Sequence, residues 1–383
     1  MVLPLTGVRL LDFSRLLPGG YCTQLLADLG AEVIKVETPK VGDYARLAPE
    51  VFGGDAIFQA TNRGKKSLAL NFRTPEGRAV LMRLAENADA LFEMFRPGMM
   101  DRWGIGPEVL KSANPRLVYC ALSGYGQTGP YRDRSGHDLN YVAISGLLDF
   151  NGLQGKPPMP MAVQIADMAG GMMAALAIVS AIYARGRSND GAYIDLSLMD
   201  MAVSWAGPMV GALYFARGEN PGRGRGPLSG ELPCYNVYRT KDGSFLTLAA
   251  IEPLLWSTFC KVADCTDLFG RQYDYEAVSD VAAVFESRDL RDWIAVFEGS
   301  EVCVEPVVPF SETLGHPQVK ARDLVIQDSQ GHPGGVRASP WHDGIKPLDP
   351  PRLGEHTRQV LLDFGFDEGE IERLAKERTI REG

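Results

Sequence analysis

The sequence predicts an α/β protein: an open parallel sheet in the first half and a smaller α+β domain in the second. Two observations favour this. Strand-like and helix-like segments alternate from the first residues onward, which is the pattern of βαβ units. Residues 208–233 are then rich in glycine, proline and arginine, a composition typical of a linker. With 383 residues the chain is long enough for two domains.

The first forty residues predict one βαβ unit. Residues 8–13 predict a strand, and the Pro-Gly-Gly at residues 18–20 predicts a turn. A helix over residues 21–29 should end at Gly30, and a second strand is expected over residues 32–37. Because a helical crossover joins parallel strands, these elements predict a Rossmann-like open sheet.

Further alternation extends this sheet. We expect a helix over residues 75–87, strands over residues 90–94 and 117–122, and a long helix over residues 168–184. That last helix lies in the most apolar part of the chain. Because this part also contains Asp167 and two adjacent glycines, a buried helix is favoured over a membrane span, and we expect no transmembrane segment.

The second half predicts a smaller domain. Strands over residues 235–240 and 244–250 flank Lys-Asp-Gly, which is typical of a hairpin. We therefore predict the following division of the chain: a large α/β domain at 1–207 completed by 327–383, a linker at 208–233, and a small α+β domain at 234–326.

Composition limits the functions that the protein can have. The 39 basic and 48 acidic side chains give a net charge of -9, which argues against a nucleic-acid or anionic membrane surface. The six cysteines are scattered without a Cys-x-x-Cys pair, so we expect them to be reduced. The chain does not open with a charged and then apolar leader. Together these features predict a cytoplasmic protein without a structural metal.

Two side chains are candidates for chemistry. His137 follows a glycine-rich loop after the strand over residues 117–122, and ligands of open α/β sheets bind beyond the carboxyl ends of strands. Alone, such a histidine is more often a local hydrogen-bond partner. Asp167 begins the long helix, where aspartate is a common N-cap. The same position would also place its carboxylate beside free backbone N–H groups able to stabilise an oxyanion.

Several motifs stand in order across nearly the whole chain. They are residues 5–12 (LTGVRLLD), 27–37 (ADLGAEVIKVE), 95–98 (FRPG), 124–130 (GYGQTGP) and 351–357 (PRLGEHT). In these motifs the sequence resembles the class III coenzyme A transferase family, which contains both CoA transferases and 2-methylacyl-CoA racemases. The resemblance implies an acyl-CoA substrate, with CoA as part of that substrate and no separate cofactor.

The resemblance also assigns roles to individual residues. Asp167 matches the aspartate that transferases use as a nucleophile and racemases as a base. The run at residues 136–141 (GHDLNY) resembles the racemase version, in which His137 is the second base. Glu252, in the run AIEP, resembles a glutamate that a partner subunit places against that histidine. With the resemblance, these three residues imply an interlocked homodimer that epimerises 2-methylacyl-CoA thioesters, with each active site between the first domain of one subunit and the second domain of the other.

The chemistry explains why both bases are needed. Removing the weakly acidic α-proton of a thioester requires a positioned base, and inversion requires a second group on the opposite face of the planar enolate. The alternatives are a CoA transferase with Asp167 as nucleophile, a nicotinamide dehydrogenase suggested by Glu37, and a binding module without activity. The dehydrogenase is disfavoured because residues 15–20 lack Gly-x-Gly-x-x-Gly.

Basic side chains are needed to bind the CoA phosphates. Those available near the expected ligand edge are Arg63, Lys65, Lys66, Arg73, Arg96 and Arg102. As the CoA site we predict Leu70, Asn71, Arg73, Phe95, Arg96, Arg102, Asp138 and Tyr141. Thr38 stands where many relatives have arginine, so this phosphate contact must be rebuilt, with Lys35 or Lys40 as the candidates.

Overall fold

The protein is described by a computed structural model that covers residues 2–218, 220, 222–328, 330–331, 333–337 and 349–383. These residues form two compact units. The first comprises the described residues of Met1–Ser145, Ala162–Trp205 and Ala321–Gly383, and the second comprises those of Gly146–Met161 and Ala206–Lys320.

The strands are β1 (Arg9–Phe13), β2 (Glu32–Glu37), β3 (Lys66–Leu70), β4 (Ala90–Glu93), β5 (Val118–Ser123), β6 (Ala192–Ser197), β7 (Tyr235–Arg239), β8 (Phe245–Ala249), β9 (Val304–Pro306), β10 (Val325–Gln327), β11 (Pro333–Val336) and β12 (Ile380–Arg381). The α-helices are α1 (Leu16–Asp28), α2 (Ala56–Thr61), α3 (Pro75–Glu86), α4 (Met99–Arg102), α5 (Pro107–Ala113), α6 (Asp138–Ile144), α7 (Leu147–Phe150), α8 (Ile165–Ser188), α9 (Leu198–Ala206), α10 (Ala212–Arg217), α11 (Pro253–Val262), α12 (Val278–Phe285), α13 (Leu290–Phe297), α14 (Phe310–Thr313), α15 (Pro317–Ala321), α16 (Thr357–Asp363) and α17 (Glu368–Lys376).

A seven-stranded sheet organises the first unit, in the order β12-β3-β2-β1-β4-β5-β6. The neighbouring strands pair in parallel, except that β12 is antiparallel to β3. The predicted open, mostly parallel sheet is therefore confirmed. Because the strand order reverses between β1 and β4, a ligand is expected outside the carboxyl ends of these strands.

Helix α1 begins earlier than the sequence predicts. The turn expected at residues 18–20 is wrong, because α1 runs through it; proline is tolerated in a first helical turn, where N–H groups lack intrahelical partners. The two glycines instead permit close packing. A Cβ on Gly19 would lie 2.2 Å from Ser14 Cβ, and one on Gly20 would lie 2.5 Å from Thr61 Oγ1.

Helix α8 is the longest helix of the first unit and packs against α1. A Cβ on Gly171 would lie 2.6 Å from the backbone oxygen of Pro18, so glycine is what allows the two helices to approach. Gln164 occupies the N-cap position, which places Asp167 within the first turn and corrects its predicted role as N-cap. By length and composition α8 would be able to cross a membrane, and 39% of its most apolar window is buried inside the protein.

The core on one face of the sheet includes the C-terminal helices. Val360 and Leu361 of α16 and Ile371 and Leu374 of α17 pack with the sheet and α3 in one apolar cluster. The described residues of the C-terminal tail therefore belong to the first unit. The predicted segment 327–383 also contains residues 329, 332 and 338–348, which lie outside the described residues.

The second unit contains the predicted hairpin. Strands β7 and β8 pair antiparallel, and β9 adds a third strand next to β8. Aromatic side chains of α11, α12 and α13 cover this small sheet and form its core: Trp256, Phe259, Phe285, Trp293 and Phe297.

Two boundaries differ from the prediction. The segment at residues 207–217 is a π-helical turn followed by α10 rather than an extended linker, and α10 contains the good helix formers Ala212, Leu213 and Ala216. Glu219 and Pro221 of the predicted linker lie outside the described residues. The segment at residues 146–161 belongs to the second unit, where Arg223 donates hydrogen bonds to the Asp149 carboxylate (2.6 Å) and backbone oxygen (2.8 Å).

Candidate active site

The glycine-rich loop after β5 is packed against Tyr141 of α6. A Cβ on Gly124 would lie 2.4 Å from the Tyr141 hydroxyl oxygen, and one on Gly136 would lie 2.8 Å from its ring. That hydroxyl donates a hydrogen bond to the backbone oxygen of Gly136 (2.6 Å), and the Tyr125 ring packs edge-on at 5.1 Å. The glycines therefore let the loop close over Tyr141 and fix the start of α6.

His137 occupies the N-cap position of α6. Its backbone N–H donates to Asn140 Oδ1 (3.0 Å), while its backbone oxygen accepts from the N–H of Asn140 (2.8 Å). The backbone is thus fixed in both directions, whereas the imidazole is exposed. An exposed imidazole on a rigid backbone is available to a ligand at this edge of the sheet.

Asp138 connects the two candidate bases. Its Oδ1 accepts hydrogen bonds from the backbone N–H groups of Ala166 (2.7 Å) and Asp167 (3.1 Å), so α8 is capped by a side chain of α6. His137 is the preceding residue, and the cap therefore holds both candidates in one small region. It also corrects the expectation that these two N–H groups are free for an oxyanion, because Asp138 occupies them.

The Asp167 carboxyl group is half-buried on the first turn of α8. Burial, and after it the negative charge of Asp138, raise the pKa of Asp167 to about 7. The group therefore exists in both protonation states near neutral pH. A carboxyl group with such a pKa can accept a proton in one step and donate it in another.

Tyr141 lies in the same electrostatic environment. Its pKa is raised, first by burial and then by the neighbouring acidic groups, chiefly the Asp167 carboxyl group. The phenol therefore stays protonated, and its hydrogen is directed to Gly136. We assign Tyr141 a structural contribution at this position, while its predicted CoA contact stays a prediction.

Glu252 belongs to the second unit, at the N-cap position of α11. Gln272 Nε2 donates hydrogen bonds to the backbone oxygens of Ala250 (3.0 Å) and Ile251 (2.7 Å), which fixes the turn between β8 and α11. The Glu252 side chain is exposed and does not bond to its own helix terminus. Its predicted contact with His137 of a partner subunit stays a prediction.

The predicted CoA residues that follow β3 and β4 lie at the carboxyl edge of the sheet. Arg73 stacks on the Trp103 ring at 4.8 Å, and the Phe95 ring packs edge-on against Trp103 at the same distance. Arg96 donates to Ser135 Oγ (2.5 Å), which connects the loops after β4 and β5.

The other predicted CoA residues differ in exposure. The Leu70 side chain is fully buried, so a ligand would contact only its backbone. The backbone N–H of Asn71 donates a hydrogen bond to the backbone oxygen of Thr379 (2.7 Å). Arg102 has an exposed side chain at the end of α4.

Two basic residues at the amino end of β3 are not available to a ligand. Arg63 is buried in an ion pair with Asp28, and Lys66 contacts Glu32 (2.5 Å) and Asp363 (3.2 Å). Arg63 lies three residues before β3 and Lys66 is its first residue, so both are at the amino end of the strand, opposite the ligand edge. The expectation that these two side chains are available at the ligand edge is wrong.

Two buried lysines, Lys35 and Lys65, are also bound to polar groups of the protein. Lys65 donates to Thr23 Oγ1 (2.6 Å) and Asn62 Oδ1 (2.9 Å), and burial lowers its pKa to about 8. Lys35 is fully buried beside Asp43 (2.9 Å). Although burial alone would lower the pKa of Lys35, the carboxylates of Asp12 and Asp43 raise it. Lys35 therefore cannot supply the missing phosphate contact, which corrects that expectation.

Glu37 does not fit a nicotinamide dehydrogenase. Its two carboxylate oxygens accept from Arg46 Nε (2.8 Å) and Nη2 (2.9 Å), and also from Ser67 Oγ (2.7 Å) and the Asp43 N–H (2.9 Å). An acidic residue bound in this way cannot accept ribose hydroxyls. Among the described residues, no group of three or more His, Cys, Asp or Glu side chains is arranged to hold a metal ion.

The fold and site define an open α/β protein in which Asp138, the neighbour of His137, caps the helix that carries Asp167. The sequence pattern of the CoA-transferase family III matches residues 5–357. The chain therefore belongs to the CoA-transferase family III, a family of CoA-transferases and racemases.

Individual relatives fall into both activities. The chain is 35% identical to α-methylacyl-CoA racemase of Homo sapiens, over 98% of this chain and 97% of that protein. It is also 35% identical to an acyl-CoA transferase of Fusarium pseudograminearum, over 98% and 88%. A CAIB/BAIF family protein from Brucella suis has the same fold, with a TM-score of 0.83 and 30% identity over 95% of this chain and 100% of that chain.

Proposed function

We propose that the protein epimerises 2-methylacyl-CoA thioesters at C2, with His137 and Asp167 as the two proton-transfer groups. The observation that carries the proposal is the Asp167 carboxyl group, with a pKa raised to about 7, on a helix end capped by the neighbour of His137. A nucleophilic carboxylate gains nothing from being half protonated, whereas a group that alternately takes and returns a proton does.

The reaction runs through an enolate of the thioester. The base that faces the α-hydrogen takes the proton, and the electron pair of the C–H bond moves into the thioester to form the enolate. The other group then delivers a proton to the opposite face of C2. For the next turnover in the same direction the two protonation states must be restored by exchange with water, which the exposed His137 side chain permits.

A CoA transferase is the alternative that a specific observation supports, since one relative at the same 35% identity is named an acyl-CoA transferase. In that reaction Asp167 attacks the thioester carbonyl, CoA leaves as thiolate, and an acyl anhydride remains on the enzyme. A transferase would need Asp167 and would not need His137.

The test measures inversion, deuterium uptake and CoA transfer on the same preparations. The protein is incubated in D2O with a panel of 2-methylacyl-CoA thioesters, and separately with acyl-CoA and a free carboxylic acid. We expect label at C2 and inversion, without CoA transfer. His137→Ala and Asp167→Ala should each lose inversion by about 10²- to 10⁴-fold, while His316→Ala, an exposed histidine of the second unit, should not.

Exchange and inversion need not fall together in these variants. The surviving base can still take and return a proton on its own face, so each variant retains slow deuterium uptake from one epimer. Full inversion by His137→Ala would refute the epimerase, and transfer of CoA that depends on Asp167 alone would establish the alternative.

We also propose that the enzyme is a homodimer in which Glu252 orients the partner's His137, as the resemblance implies. Mixing inactive His137→Ala and Glu252→Ala proteins would then create one site with both residues intact in each mixed dimer. Activity should reappear on mixing. A mixture no more active than its separate components would refute the assignment of Glu252 to the site of the other subunit.

A further inference from the structure

A separate cleft lies at the carboxyl ends of β1 and β2, beside the point where the strand order reverses. Arg15, Thr38, Phe72 and Phe95 are among the residues that line it. Aromatic walls with a cation at the mouth are suited to a planar base that carries phosphate. The cleft lies entirely within the first unit.

Arg15 is held in this cleft by aromatic rings rather than by an acid. Its guanidinium carbon lies 4.9 Å from the centre of the Tyr44 ring and 5.0 Å from that of Phe95. Among the described residues no hydrogen-bond or ion-pair partner of its side chain is found. A stacked guanidinium with free donors matches the geometry of a phosphate group.

The backbone next to Arg15 is strained, and a hydrogen bond to Asp43 stabilises it. Leu16 adopts a φ of +58°, a left-handed conformation that crowds the Cβ of an L-residue. Its N–H donates to Asp43 Oδ1 (3.1 Å), and the second oxygen of Asp43 lies 2.9 Å from the buried Lys35. Strain supported by a buried network is typical of ligand sites, and here it directs Arg15 into the cleft.

The charges around the cleft leave Arg15 uncompensated. The two acidic residues in its wall, Glu37 and Asp43, are paired with Arg46 and Lys35, respectively. Ser14 also lines the cleft, and its buried hydroxyl has no hydrogen-bond partner among the described residues. Among the described residues that line the cleft, Arg15 is therefore the cation without an acidic partner.

We propose that Arg15 binds a phosphate group of the CoA nucleotide and supplies the contact that Thr38 cannot make. This inference rests on the proposed acyl-CoA substrate. It assigns recognition of the nucleotide end of that substrate to Arg15. It replaces Lys35, which is buried and paired, as the source of the phosphate contact. The aromatic walls of Phe72 and Phe95 would lie beside the base.

Binding of CoA, 3′-dephospho-CoA and pantetheine is measured by titration calorimetry, which requires no turnover. Arg15→Ala should raise the Kd of CoA by about 10- to 100-fold, because a charge-assisted hydrogen bond is lost. Its Kd for pantetheine should not change. Arg15→Lys should recover part of the affinity by keeping the charge. The matched control is Arg187→Ala, another arginine stacked on a tyrosine (4.7 Å) but at the far end of α8.

The two nucleotides locate the phosphate. If the Arg15→Ala effect disappears with 3′-dephospho-CoA, Arg15 binds the 3′-phosphate; if it persists, Arg15 binds the diphosphate, and either result supports the proposal. An unchanged Kd for CoA, or an equal loss of pantetheine binding, overturns it. A protein that binds CoA through Arg15 but does not epimerise its thioesters would refute the proposed function and leave this inference intact.

Discussion

Replacing Asp167 with asparagine is expected to stabilise the folded protein at pH 8 and to change its stability little at pH 4. Burial and the charge of Asp138 raise the pKa of Asp167 from 3.8 to about 7. Between these values the folded state binds more protons than the unfolded state, so the wild-type protein loses stability as pH rises through this window. Asparagine has a similar shape and does not ionise, so this loss should disappear.

The size of the effect follows from the same values. Each pH unit between 3.8 and about 7 corresponds to 1.36 kcal/mol, which gives about 4 kcal/mol as an upper value and about 2–4 kcal/mol once partial exposure is allowed for. The gain should be below about 1 kcal/mol at pH 4 and complete above pH 7.

Equilibrium unfolding in urea between pH 4 and pH 8, at one protein concentration, measures the free energy of unfolding. The control is Asp190→Asn, an exposed aspartate after α8 whose removal relieves no burial. If wild type and Asp167→Asn show the same pH dependence, or if wild type is the more stable at pH 8, the account of Asp167 as a buried proton carrier is refuted.

Three further outcomes are expected. Asp138→Ala should cost about 0.5–2 kcal/mol of stability by removing the cap of α8 and should lower the pKa of Asp167 in the pH–rate profile; an unchanged profile would contradict the electrostatic coupling. Arg96→Ala should raise the KM for acyl-CoA more than it lowers kcat, and an unchanged KM would remove this residue from the CoA site. Gly171→Ala should destabilise the protein by about 1–3 kcal/mol because α1 lies too close, whereas Gly186→Ala, with open space around it, should be neutral or stabilising by thermal unfolding.

The sheet was predictable because its signal is local. Apolar strands with helices between them predict parallel pairing, and loops after strands predict where a ligand lies. His137 and Asp167 were therefore identified as candidates before their environment was known. The two glycines of α1 were wrongly predicted to form a turn. Ser14 and Thr61 pack where their Cβ atoms would lie, and local sequence patterns do not show such contacts.

Other features depend on long-range contacts. The cap of α8 joins Asp138 to Ala166 and Asp167, which lie 28 and 29 positions further along the chain. No local sequence pattern around Asp138 indicates this function. The sequence predicted Lys35 to be an accessible cation, but Asp12 and Asp43, from two other segments, pair with it. Arg15 went unnoticed because only the structure shows which guanidinium has no acid beside it.

The outer edge of β3 has a consequence for synthesis of the chain. Ile380 and Arg381 form the antiparallel strand that covers this edge, and the oxygen of Thr379 accepts the N–H of Asn71. About 300 residues separate the partners, so at ~5–20 residues per second the ribosome needs about 15–60 s to supply the second strand. During that time β3 offers unpaired N–H and C=O groups to other nascent chains. His356 and Thr357 bond to Ser67 and Ala69 of this edge, so a polypeptide that stops before Thr379 leaves the N–H of Asn71 without its partner.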